Sequence, residues 1–178
     1  MFNRLRVWRL VGICAALMFG TLATAPMVAA AKPDKLVLGT PGPIVNPAGA
    51  PCAFVVNFDP IEIKRTIFTF DNGTEFVKLK GYGTLSNPES GASFLHHVVM
   101  HQVTTFDPAA NEYLVVYQGQ FGIRFYAGDV GPWGVVEAPG LFLRITGRAE
   151  QTFDGDTFAP TSFSYTGTFT DICSVLSE

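Results

Sequence analysis

Apolar and polar residues alternate along most of the chain after residue 52, and this is the period of a half-buried β-strand. In residues 141–150, Leu143 and Ile145 share one face, whereas charged and hydroxyl-bearing side chains dominate the other. Residues 161–171 place aromatic side chains on one face and Ser or Thr on the other. No stretch in this region has the period of a convincing helix, so the pattern predicts a domain of strands and turns.

Turn-forming residues separate the predicted strands. The pair Asn72-Gly73 lies between apolar-rich runs and predicts a tight hairpin, because both residues tolerate positive φ. Further turns are predicted near residues 87–91, 107–111 and 154–156, and Gly119 predicts a kink. About eight strands result, at 54–58, 61–70, 74–80, 93–106, 112–118, 121–126, 141–150 and 161–171.

The first 31 residues have the composition of a secretory signal peptide. Three arginines without an acid precede an apolar run, and small residues close the segment, so we expect cleavage after Ala30 or Ala31. Cys14 would be removed with it. The predicted organisation is a signal peptide at 1–31, a Pro/Gly-rich leader at 32–51 and a single β domain at 52–178, in a protein secreted from the cell.

Two cysteines remain after this cleavage, Cys52 and Cys173. In an exported protein such a pair predicts a disulfide, and here it would join the first strand to the last. This favours a single antiparallel barrel of about eight strands, because closure makes the terminal strands neighbours and removes exposed sheet edges. A β-sandwich is the alternative, since it can also bring the two ends together.

Charge narrows the range of partners. The segment that follows residue 31 holds nine basic and fifteen acidic residues, a formal charge of −6. Nucleic acid and anionic membranes attract basic surfaces, so the composition argues against both as the main partner. We expect no stable membrane anchor once the signal is removed, and the sequence indicates no oligomeric state.

Several short motifs carry a resemblance to known proteins: Cys52-Ala53-Phe54, Asn72-Gly73-Thr74, the run from Leu85 to Gly91, Gly140-Leu141-Phe142-Leu143 with Gly147-Arg148, and Thr170-Asp171-Ile172-Cys173. With these motifs the chain resembles a group of small exported actinobacterial proteins without an assigned function. The expected architecture is also distantly similar to the barrel of allene oxide cyclases and dirigent proteins. That similarity implies a lumen that holds small apolar molecules, but it assigns no catalytic residue here.

A candidate ligand site lies in and just before the longest irregular segment, residues 127–140. An aromatic side chain with charged neighbours at a barrel mouth could orient a ligand in the lumen. The candidate residues are Arg124, Tyr126, Asp129, Trp133 and Glu137. Alternatively, Trp133 closes the end of the core and Arg124 pairs with a carboxylate.

The three histidines all lie on one predicted strand. Alternation places His97 and His101 on one face about 13 Å apart, with His96 on the other, so they cannot share one metal ion without ligands from other strands. We therefore expect no metal and no cofactor. The chain also has no nucleophile elbow and no phosphate-binding loop.

Three functions fit these features. The first is non-catalytic binding of a small apolar or amphipathic molecule, suggested by export, the predicted barrel and its fourteen phenylalanines after residue 31. The second is an isomerase or cyclase that uses a polar group in the lumen, such as Arg124, Glu112 or a histidine. The third is a cell-surface or extracellular interaction protein that makes contacts through residues 113–117.

Overall fold

The computed structural model of the protein describes residues 32–178, and the predicted signal peptide lies outside the described residues. Within this range the chain forms one short helix, α1 (Ile172–Leu176), and ten strands. The strands are β1 (Asp34–Leu38), β2 (Ile44–Asn46), β3 (Val56–Thr69), β4 (Glu75–Ser86), β5 (Ser93–Asp107), β6 (Glu112–Phe125), β7 (Val130–Gly131), β8 (Gly134–Val135), β9 (Leu141–Asp154) and β10 (Pro160–Asp171).

The main sheet is antiparallel and runs in the order β1-β3-β4-β5-β6-β9-β10, with β2 also paired to β3. Strands β7 and β8 form a separate small hairpin between β6 and β9. The prediction of an all-β antiparallel fold is therefore confirmed. The helix α1 was not predicted, because its five residues are too few to show a helical period.

Closure of the sheet into a barrel is not confirmed. Within residues 32–178, no ladder joins β10 to β1, β2 or β3. One edge of β3 is paired with β4, and β1 and β2 occupy its other edge one after the other. Since a strand has only two edges, β1 and β2 take the places beside residues 65–69 and 56–58 of β3 that β10 would need to close the sheet there.

The segment predicted as a leader thus contributes two strands. Apart from Pro33, which precedes β1, its glycines and prolines fall between β1 and β2 and after β2, where they interrupt the edge without preventing pairing. The hydroxyl of Thr40 adds a contact between the strands, because it accepts a hydrogen bond from the N–H of Ile63 at 3.0 Å.

Three of the six long strands, β3, β4 and β6, are more continuous than the sequence predicted. Strand β3 runs through Asp59-Pro60 with a register shift between Pro60 and Glu62, and β6 runs through Gly119. Three glycines, Gly119, Gly147 and Gly167, lie side by side on β6, β9 and β10. Each has positive φ, and a Cβ at any of them would collide with a carbonyl oxygen of a neighbouring strand. This glycine row lets three strands approach and bend at one level.

Buried side chains form two clusters. The first cluster contains apolar residues of β5, β6 and β9, among them Val98, Phe121 and Ile145. The second cluster gathers Phe58, Leu85 and Phe142 with residues around the disulfide and from α1, including Cys52, Val56, Ile172 and Leu176. Strand β9 serves both, because Phe142 belongs to the second cluster and the adjacent Leu143 to the first.

The predicted disulfide between Cys52 and Cys173 is confirmed, with the two Cα atoms 5.4 Å apart. Asp171 caps the start of α1 by accepting the N–H of Cys173 at 2.9 Å. At the other end, the carbonyl of Leu176 accepts hydrogen bonds from Asn87 at 3.0 Å and Ser90 at 3.1 Å. We call this disulfide, helix and pair of hydrogen bonds the clasp. It links the chain after β10 to the residues before β3 and to the β4–β5 turn.

Candidate functional site

Strands β5 and β6 part before either of them ends. Their ladder stops at the pair Val99 and Gln120, although β5 begins six residues earlier and β6 continues for five more. At the last pair, the side-chain amide of Gln120 donates a hydrogen bond to the carbonyl of His97 at 2.9 Å. This amide substitutes for the next rung of the ladder, and the backbones diverge beyond it.

A cleft of about 450 Å³ is lined by residues of both diverging strands, and we call it the β5–β6 cleft. Its volume lies in the range of sites that bind small molecules. The lining is mainly apolar, and its residues are Phe58, Ile63, Leu79, Leu85, His96, Val98, Met100, Gln102, Tyr117, Phe121, Gly122, Ile123, Arg124, Tyr126 and Phe142. Among the described residues that line it, Arg124 is the only charged side chain and there is no carboxylate.

His96 is the most unusual group in this lining. Its side chain is buried, and its Nδ1 has no hydrogen-bond partner among residues 32–178. Burial, followed by the charges of Arg144, His97 and Arg124, lowers the pKa of His96 to about 4. The imidazole is therefore neutral at pH 7, and its Nδ1 is a buried polar atom without a partner in the described part of the chain.

Two arginines lie near His96, and each rests on an aromatic ring. The guanidinium carbon of Arg124 is 5.2 Å from the ring centre of Phe142, and that of Arg144 is 4.7 Å from the ring centre of Phe94. Such contacts hold a guanidinium in place while its N–H groups remain able to bind an anion. Neither arginine forms an ion pair within the part of the chain that the structure describes.

Tyr117 adds a further polar group to the cleft. Its ring stacks on Phe121 with the ring centres 5.3 Å apart. Burial raises the pKa of Tyr117, so its hydroxyl stays protonated and can donate a hydrogen bond. The cleft therefore combines an apolar wall with a cation, a neutral imidazole and a hydroxyl.

The residues predicted as a ligand site do not all lie together. Arg124 and Tyr126 line the cleft. Asp129 instead shapes the turn that follows β6, because its carboxylate accepts the N–H of Tyr126 at 2.8 Å. The carboxylate therefore has a local structural role in this structure.

Trp133 and Glu137 also lie outside the cleft lining. Trp133 is 64% exposed and packs edge-on against Phe169 of β10, with ring centres 5.2 Å apart. Glu137 is exposed, and its carbonyl accepts the N–H of Gly140. The irregular segment 127–140 therefore supplies no residue to the cleft lining, which instead contains Arg124 near the end of β6 and Tyr126 just after that strand.

Sequence reasoning missed three lining residues, His96, Tyr117 and Phe142, and also Arg144, which lies outside the lining and acts through its charge on His96. A signal existed for the first, because alternation places His96 on the same face as the buried Val98 and Met100. A histidine among apolar residues on one strand face is a sign of a buried polar group. The other three depend on where β5 and β6 separate, which no local pattern reveals.

His97 and His101 are exposed on the opposite face of β5, as alternation predicted. Within residues 32–178, no three His, Cys, Asp or Glu side chains are grouped so that they could hold a metal ion. None of the helices in that range is both long and apolar enough to span a membrane.

Comparison with protein-family models, curated proteins and solved structures found no match for the chain. The resemblance to exported actinobacterial proteins and to the allene oxide cyclase barrel therefore stays a prediction.

Proposed function

We propose that the protein binds a small amphipathic molecule in the β5–β6 cleft, with its apolar body against the aromatic wall and an anionic head near Arg124. The observation that carries this proposal is a buried imidazole nitrogen without a partner, next to a cation in an apolar cleft without a carboxylate. A polar atom of the ligand would bond to the imidazole of His96, which lines the cleft, and an anion would balance the charge of Arg124.

We favour the hypothesis that the protein binds a ligand without catalysis over the hypothesis that it is an isomerase or cyclase. General acid–base catalysis is most efficient when the pKa of the catalytic group lies near the working pH. The pKa of His96 is lowered to about 4, which makes it a weak base, and the pKa of Tyr117 is raised, which makes it a weak acid. Both groups suit hydrogen bonding to a bound molecule better than proton transfer.

The proposal also covers the compartment in which the protein works and the arrangement of its sheet. The disulfide supports a protein that works in an oxidising compartment outside the cytoplasm, in line with the predicted signal peptide. We propose that the curved sheet acts as an incomplete barrel around the cleft, in which the clasp replaces the missing ladder between the terminal strands.

The test compares two fluorescent probes. Anilinonaphthalene sulfonate has an aromatic body and a negative charge, whereas phenylnaphthylamine is a similar aromatic molecule without the charge. We expect both to bind the protein. Arg124→Gln should weaken binding of the sulfonate roughly tenfold to a hundredfold, because a charge-assisted contact is lost, and should leave phenylnaphthylamine unaffected.

Arg148→Gln is the matched control, because Arg148 is an exposed arginine of β9 that lies outside the cleft lining. It should change neither affinity. The proposal is wrong if neither probe binds, or if Arg124→Gln and Arg148→Gln have the same effect on the sulfonate. If Arg124→Gln alone weakens binding of the sulfonate, mass spectrometry of small molecules that co-purify with the protein would identify the natural ligand class.

A further inference from the structure

Four of the five lysines in residues 32–178 lie on one face of the sheet, opposite the cleft lining of the same strands. Lys35 of β1, Lys64 of β3, and Lys78 and Lys80 of β4 are all exposed there. The segment after residue 31 has a formal charge of −6, so this lysine face is a local reversal of the overall charge.

The lysine face contains an unfavourable pair. Lys64 and Lys80 occupy directly opposite positions on β3 and β4, where like charges destabilise a sheet. None of the four lysines forms an ion pair within the described part of the chain. No ion pair within that part offsets the repulsion, and an anion placed between the two strands would relieve it.

A groove of about 570 Å³ runs along this face. Lys64, Lys78 and Lys80 line it together with Glu62, Tyr82 and His97. The Tyr82 ring stacks on the His97 ring with centres 5.7 Å apart and an interplanar angle of 30°. The groove thus joins positive charges to a flat aromatic surface and a carboxylate.

These groups match the chemistry of a charged sugar chain. Lysines attract its anionic substituents, an aromatic face packs against the C–H side of a sugar ring, and a carboxylate accepts hydrogen bonds from hydroxyls. An anionic membrane fits less well, because the groove is concave and its lining is polar apart from Val99 and Gly81.

We propose that the lysine face binds an anionic saccharide, a sugar chain that carries carboxylate, phosphate or sulfate groups. This binding is independent of the ligand proposed for the β5–β6 cleft, since Lys64, Lys78, Lys80 and Tyr82 are absent from the cleft lining.

The test uses dextran sulfate, with uncharged dextran as the control, and isothermal titration calorimetry at low salt. We expect dextran sulfate to bind, dextran not to bind, and affinity to fall as salt rises. The double variant Lys64→Gln, Lys80→Gln should bind about tenfold more weakly, because two exposed charge contacts are lost. Its melting temperature should stay the same or rise, because the cross-strand repulsion is removed.

Two further arms separate this proposal from its rivals. Tyr82→Leu should weaken binding of dextran sulfate but not of polyphosphate, which has charge and no sugar ring. Arg148→Gln, on another part of the sheet, should change nothing. No binding of dextran sulfate, or no effect of the lysine substitutions, would overturn the proposal. It would also fail if Tyr82→Leu left dextran sulfate binding intact, or if only phosphatidylserine vesicles bound the lysine face.

Discussion

The second cluster and the β5–β6 cleft share Phe58, Leu85 and Phe142, but they are completed in opposite ways. The clasp closes the cluster with a covalent bond, a capped helix and hydrogen bonds to a turn. The cleft keeps unfilled volume and a buried nitrogen without a partner. With the proposed function, the two regions divide the labour: the clasp stabilises the sheet, and the cleft would receive the ligand.

Breaking the clasp should have the largest effect. Reduction of the protein, or the double variant Cys52→Ala, Cys173→Ala, removes a link between residues 121 positions apart. We expect a loss of about 2 to 5 kcal/mol in the free energy of unfolding, because a long loop in the unfolded chain is released. Calorimetric melting with and without reductant measures it.

The double cysteine variant also supplies the control, since reductant should not lower its melting temperature further. If reduction leaves the melting temperature of the natural chain unchanged, the clasp does not stabilise the fold and the proposed division fails.

Acid should reveal the cleft. The pKa of His96 is about 4 in the folded protein against 6.5 for a free imidazole, so the unfolded chain binds more protons between these values. The contribution of neutral His96 to the free energy of unfolding is complete above pH 6.5 and is lost as the pH falls towards 4. The difference between the two pKa values corresponds to a contribution of about 3 kcal/mol.

Urea unfolding across this pH range measures the effect, with His96→Gln as the comparison because glutamine does not titrate. The difference between the two proteins should follow a single titration. Parallel pH profiles would show that His96 is not held neutral by its surroundings.

The smallest effect is expected at Trp133, which belongs to neither region. Trp133→Ala should cost about 0.5 to 1 kcal/mol, because an exposed side chain loses one edge-on contact with Phe169. The affinity for anilinonaphthalene sulfonate should not change.

Phe121→Ala, which removes a buried ring from the cleft wall, is the contrasting variant and should alter both stability and probe binding. A large loss of probe affinity in Trp133→Ala alone would show that the probe binds at the irregular segment and not in the β5–β6 cleft.

Much of the fold could be predicted from the chain, because alternation and turn chemistry act locally. The hairpin at Asn72-Gly73 and the last strand, predicted at 161–171 and observed at Pro160–Asp171, are examples. The disulfide followed from the pairing of two remaining cysteines. The predicted closure of the sheet into a barrel is not observed. Strands β1 and β2, which lie in a segment rich in proline and glycine, nevertheless pair with β3, and this could not be predicted from the sequence.

The site was less predictable because it depends on a separation between neighbouring strands. Arg124 and Tyr126 were identified through their position before a long loop, and they do line the cleft. His96 could not be singled out from the sequence, since one histidine on a strand carries no chemistry by itself. Its significance arises from burial near two arginines that are distant in sequence.

The glycine row offers a way to recognise relatives that ordinary similarity does not reach. Gly147 lies 28 positions after Gly119, and Gly167 follows 20 positions later. At each position any other side chain would collide with the backbone of a neighbouring strand, so descendants of the same ancestor should keep all three while their surfaces diverge. Three glycines at matching strand positions, enclosed by a pair of distant cysteines, therefore form a signature that can be sought across genomes.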